Sequence, residues 1–167
     1  MKIILFRHAQ KGIMPFEDPE LTQEGFRQAE MIYSLVQRKC LPEPTHAWVS
    51  PKIRTSQTLQ PVCENFKIKI RKTELLNMCT QNESSADFRK RISNFLNQFE
   101  TIAAQETHFL CTHYDWIEEA MTLINCDKDL NSFEFSHWAP TQYIVFEIAS
   151  SIWKFVKKGS AHATKTN

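Results

Sequence analysis

The sequence predicts an α/β domain, a three-layer α/β/α sandwich with a mostly parallel central sheet. Three observations carry the prediction. Short apolar runs recur at 2–7, 46–50, 67–71, 107–112 and 142–148. Stretches of helical periodicity lie between most of them, and strands alternating with helices build parallel sheets covered on both faces. The chain has 167 residues, 42% hydrophobic and 23% charged. That is ordinary for one globular domain and enough for a real core.

The first run is Lys2-Ile-Ile-Leu-Phe-Arg7. A helix is expected over 22–39, opened by Thr22 as N-cap, with Phe26, Ala29, Tyr33 and Val36 recurring on one face. After the second run (His-Ala-Trp-Val-Ser, 46–50), Ser50 is a good N-cap and Pro51 suits a first helical position. Pro61 predicts a kink or break in that helix near Gln60. The third strand is expected at 67–71. Ser84 then caps a helix over 84–100 with Phe88, Ile92, Phe95 and Phe99 on one face. The fourth strand, 107–112, leads into 115–125, where Ile117, Ala120, Met121 and Ile124 follow the i, i+3, i+4, i+7 template. The fifth, 142–148, pairs through Ser150-Ser151 with a short sixth at 152–156. Residues 157–167 have no apolar face and read as a disordered basic tail after a single 1–156 domain.

Several function classes are excluded. Net charge is +1, and four lysines, Lys154, Lys157, Lys158 and Lys165, follow the last acidic residue, Glu147. A near-neutral body with a small basic tail gives no electrostatic case for nucleic acid. The apolar opening Ile3–Phe6 is shorter than a signal-peptide core and far below a membrane span, so the protein reads as cytosolic, with no membrane partner. Its five cysteines form no C-x-x-C and are expected reduced. Three glycines cannot supply a Walker loop or a dinucleotide fingerprint. His46, His108, His137 and His162 have no metal-site spacing, and no metal or cofactor is expected.

Polar groups follow four of the apolar runs. Arg7 and His8 end the first, Arg54 lies in the first turn after the second, Glu74 comes just past the third, and His113 follows the fourth. Parallel strand ends are neighbours on the ligand-binding rim, so these groups should converge. Phosphoryl transfer needs such a set. His8 would be the nucleophile, and Arg7 and Arg54 would hold phosphate oxygens through planar forks. His113 would donate a further hydrogen bond, and Glu74 would protonate the leaving oxygen.

Taken in order, Leu5-Phe6-Arg7-His8-Ala9, Leu21-Thr22-Gln23-Glu24-Gly25 with Gln28-Ala29, Ser50-Pro51-Lys52-Ile53-Arg54-Thr55-Ser56-Gln57-Thr58 and Cys111-Thr112-His113 resemble the histidine phosphatase superfamily. That group includes phosphoglycerate mutases, fructose bisphosphatases and short bacterial phosphohistidine phosphatases. The resemblance implies a phosphoglycerate mutase-like fold and a transient phosphohistidine at His8. It also implies a phosphate pocket of Arg7, Arg54 and His113, and no required metal. Glu74 sits where mutase-like members carry their proton donor.

Three departures bear on activity. Ala9 replaces the usual glycine, as it commonly does in the short phosphohistidine class. Tyr114 replaces the glycine expected after the second histidine. Glu74 lacks the glycine-containing context that usually follows, so Asp18 is a substitute acid to test. About 30 residues separate Glu74 from the fourth strand, too few for a large cap. The open pocket this implies suits a phosphorylated small molecule or phosphoprotein substrate, with inorganic phosphate as product. Two alternatives stay open: a catalytically silent phosphate- or phosphoprotein-binding module, and a phosphoglycerate mutase-type phosphotransferase.

Overall fold

The structure is a computed structural model and describes residues 1–101, 105–149 and 152–161. Ten regular elements run in the order β1 (Lys2–Arg7), α1 (Gln23–Gln37), β2 (His46–Val49), α2 (Ile53–Asn65), β3 (Ile70–Lys72), α3 (Ser85–Asn97), β4 (Thr107–Thr112), α4 (Tyr114–Leu123), β5 (Gln142–Ala149) and β6 (Ile152–Ser160). The six strands form one sheet in the order β3-β2-β4-β1-β5-β6. β1, β2, β3 and β4 are parallel, while β5 runs antiparallel to β1, and β6 antiparallel to β5. Among the described residues, no helix is long and apolar enough to cross a membrane.

Alternation along β1 shows why the sheet is covered on both faces. Ile3 and Leu5 belong to one core with residues of α3 and α4, whereas Ile4 and Phe6 belong to another with residues of α1 and α2. All four are buried. A strand buried on both faces reads as a continuous apolar run, as this one does. The expected three-layer sandwich is the observed architecture.

This layering fixes where a ligand can bind. β1 leads into α1 on one face, and its neighbour β4 leads into α4 on the other. The carboxyl ends of β1 and β4 therefore part into opposite layers, opening a crevice at a topological switch point. His8 and His113 are the first residues past those two ends.

Four expectations need correction. β3 begins at Ile70 rather than 67, because Lys67 takes a left-handed conformation (φ 55°) in the turn that ends α2. α2 begins at Ile53 after Lys52, so neither Ser50 nor Pro51 occupies its expected capping place. The helix also runs through Pro61 to Asn65 without a break. Finally, β6 continues to Ser160, so 157–160 are strand rather than tail; residues 162–167 lie outside the described residues. β6 is an edge strand, and lysines are ordinary there because they discourage pairing with another chain.

Candidate active site

His8 lies 5% exposed just past β1, and its backbone N–H extends the ladder to the Thr112 carbonyl (3.0 Å). Its Nδ1 is 2.7 Å from the Ala9 carbonyl oxygen. A carbonyl can only accept, so Nδ1 carries the proton and the Nε2 lone pair is free to attack. The loop that follows is pinned to both helices of its layer. Ala9 N–H donates to Thr58 Oγ1 on α2 (2.9 Å), and Gln10 N–H donates to Gln28 Oε1 on α1 (2.8 Å). Thr22 caps α1 as expected, accepting from Gly25 N–H (3.0 Å). Gly25 is required by close approach: a Cβ there would lie 2.1 Å from the Gln10 carbonyl oxygen.

His113, 3% exposed, follows β4. Arg54 Nη2 is 3.2 Å from its Nδ1, and Ser50 Oγ is 2.7 Å from its Nε2. A guanidinium only donates, so Nδ1 accepts and Nε2–H donates to Ser50. The His8 and His113 rings meet edge to face with centroids 5.3 Å apart. Arg54 is itself 4% exposed, and its Nη1 faces Asp18 Oδ1 at 3.4 Å. Arg7 donates through Nη1 to the Trp138 carbonyl, and its guanidinium lies over the Tyr114 ring, 5.3 Å from the centroid. The buried Nε–H groups of both arginines have no acceptor among the described residues.

Four of the five expected residues thus gather at the switch point, and Glu74 does not join them. It opens a 3₁₀ turn (Glu74–Leu76), is exposed, and accepts from Asn77 Nδ2 at 3.0 Å. It lines a smaller cavity of about 220 Å³ with Glu83, Asp87 and Arg91. Asp18, the substitute acid considered above, contacts α2 and Arg54. Both its oxygens accept from Ile53 N–H (3.2 and 3.1 Å), so it caps α2 from a distant loop and orients Arg54.

Burial is the largest influence on both imidazoles. It lowers His8 to about 3, against the opposing hydrogen bond that Nδ1–H donates to the Ala9 carbonyl and with help from Arg54, Arg7 and Lys11. It lowers His113 to about 2, reinforced by His8, Arg54, Lys52 and Arg7. Both rings are therefore neutral at pH 7, which a nitrogen nucleophile requires.

A cavity of about 550 Å³ opens beside Arg54, lined by Lys11, Ile13, Phe16, Lys52 and Met78 among others. Met78 and the two lysines were not assigned to the pocket by sequence. They reach it through tertiary contacts that no local pattern signals.

One further cluster of histidines lies away from this site. His46 and His108 are register partners on β2 and β4, and Glu106 joins them. The geometry opposes a shared ion. Trp48 Nε1–H donates to His108 Nδ1 (3.2 Å), which leaves the proton on Nε2 facing Glu106 (2.9 Å). The two rings also stack within 10° of parallel, so their lone pairs lie in separate, nearly parallel planes rather than meeting at one point.

Residues 3–80 match the family model of the histidine phosphatase superfamily, branch 1. Over that stretch, just under half of its length, the chain is similar to this superfamily. Phosphoglycerate mutase 2 of Saccharomyces cerevisiae is 33% identical over 79 residues, 41% of this chain, and the chain spans 25% of that protein's length. Among solved structures, the protein histidine phosphatase SixA complexed with tungstate matches with a TM-score of 0.75 and 15% identity, covering 96% of this chain and 97% of the other. A mutant phosphoserine phosphatase from Entamoeba histolytica in complex with phosphoserine matches at 0.73 and 14%, covering 96% and 98%. At these identities the two structures establish the phosphoglycerate mutase-like fold.

Proposed function

We propose that this protein is a metal-independent phosphatase that works through a phosphohistidine at His8. In the first step the Nε2 lone pair attacks phosphorus, and the bond from phosphorus to the leaving oxygen or nitrogen breaks with its electron pair on the leaving group. In the second, water attacks the phosphohistidine and gives a proton to the Glu74 carboxylate left by the first step, and inorganic phosphate departs as Nε2 recovers its lone pair. The observation that carries this reading is the pair of buried, acceptor-less Nε–H groups on Arg7 and Arg54 beside two neutral imidazoles. Buried donors are normally satisfied, and a tetrahedral oxyanion satisfies these.

Glu74 is the proposed source of the leaving group's proton, reached across Asn77 and Thr80, which line both cavities. Its weight shows in substrate dependence. Glu74→Gln should slow an alkyl phosphate, whose alkoxide needs protonation, far more than a nitrophenyl phosphate.

The test is turnover of an aryl phosphate in the presence of chelator, with rapid quench for an acid-labile adduct. Wild type should turn over and form the adduct, and His8→Ala should do neither. A requirement for added metal, or activity surviving the loss of His8, contradicts the proposal. Tyr114 packed on Arg7 motivates the silent binding module as second reading. That reading wins if phosphate raises the melting temperature while no adduct forms. Mutase chemistry must retain its intermediate and suits the open cavity poorly.

A further inference from the structure

We infer that the substrate's leaving group carries an apolar body seated on Ile13, Phe16, Pro19 and Met78, a substrate class that rests on the phosphatase reading above. The cavity these residues line holds about 550 Å³, within the range of small-molecule sites. It adjoins the proposed phosphate pocket through Arg54, which lines it and whose Nη2 lies 3.4 Å from Met78 Sδ. A phosphate held by Arg54 has this space beside it for its leaving group.

The chemistry of the walls selects what fills it. Ile13 is 84% and Phe16 88% exposed, an unusual degree for two large apolar side chains on one short loop. Met78 faces the same cavity from the opposite segment. The two lysines of the lining serve the phosphate end rather than the leaving group. Lys11 acts electrostatically on His8 and Lys52 on His113, and Lys52 Nζ also donates to the Glu17 carbonyl (3.1 Å). The phosphate dianion thus answers the cations, and an apolar group answers the loop. A small ester fits better than a polypeptide because the cavity is bounded on both sides, by 11–19 and 77–81.

Two non-hydrolysable probes separate this inference from the catalytic reading. Binding of 2-phenylethylphosphonate and ethylphosphonate is compared by calorimetry, and turnover of the matching phosphate esters, whose alcohols ionise similarly, is measured alongside. The phenylethyl compound should bind at least about tenfold tighter, the discrimination an apolar pocket gives for small changes in size. Phe16→Ala should shrink that ratio to about twofold or less, and Ile13→Ser should reduce it independently. Equal affinities in wild type, a ratio untouched by both substitutions, or a phosphopeptide that outcompetes the phenylethyl probe would overturn the inference. Selective binding without turnover would count against the phosphatase reading and leave the apolar site standing.

Discussion

Replacing Gly25 by alanine tests whether the loop carrying His8 is held by close backbone contact. The new Cβ would lie 2.1 Å from the Gln10 carbonyl oxygen and 3.0 Å from Leu21 Cβ, whereas ordinary contact begins near 3.4 Å. The Gln10 backbone must therefore move by about 1.3 Å, the difference between those values. That carbonyl also accepts from Thr22 N–H at 3.0 Å, so the move pulls on the helix cap as well. Overpacking costs about 1–3 kcal/mol, and a backbone clash belongs at the upper end. Alanine recovers about 1 kcal/mol of helix propensity. The net loss is about 2 kcal/mol, or roughly 4–8 °C in Tm for a chain of this size. Gln10 is two residues from His8, and a displacement of about 1 Å at a reacting group costs on the order of 100-fold in rate. Thermal unfolding and kcat on an aryl phosphate read both effects. Gly12→Ala is the control, since its Cβ would meet the Glu20 carbonyl oxygen at an unstrained 3.5 Å. Wild-type Tm and kcat in Gly25→Ala, or equal losses in Gly12→Ala, would refute the reasoning.

Stability should fall as pH drops below about 6.5, the unperturbed imidazole value. Folded His8 and His113 stay neutral down to about 3 and about 2, so the unfolded chain binds the extra protons. Each ring contributes about 1.4 kcal/mol per pH unit in that window, and urea midpoints at pH 7, 6 and 5 measure the slope. A flat profile contradicts the burial of these rings. Asp18→Asn should keep an acceptor for Ile53 N–H while removing the charge beside Arg54, weakening phosphate binding several-fold with little change in Tm; Asp18→Ala should also lose about 1 kcal/mol with the cap. Calorimetry with inorganic phosphate and denaturation distinguish the two. Arg91 donates to the carbonyls of Glu74, Leu75, Asn77 and Met78 and pairs with Glu83, both side chains being at most 16% exposed. Arg91→Ala should therefore cost about 3 kcal/mol and speed proteolysis within 74–83.

The apolar runs and helical stripes were legible because burial on two faces leaves a direct mark on sequence. β1 and β4 lie where expected, and Phe88, Ile92 and Phe95 face the core as their spacing implies. The α1 face was read less well. Ala29 and Val36 are buried, but Phe26 is 43% exposed, because contact of Gly25 with Gln10 sets the helix's rotation. The start of α2 was hidden for a similar reason: its capping carboxylate comes from Asp18, 35 residues before Ile53. Residue identity at strand ends announced which side chains gather at the switch point. What fills its neighbour depends on two loops folding toward each other, and no periodicity records that.

The position of β1 inside the sheet has a consequence for anyone shortening this protein. A piece ending near residue 115 would retain all five residues that sequence singles out, yet it would strip β5 from one side of β1. It would also remove Thr141, whose N–H bonds the carbonyls of Arg7 and His8. The bared main-chain donors and acceptors of Ile3–Phe6 would then seek a strand from another molecule. Trimming to the recognisable motifs would convert an interior ladder into an adhesive margin, so useful fragments must run through β6.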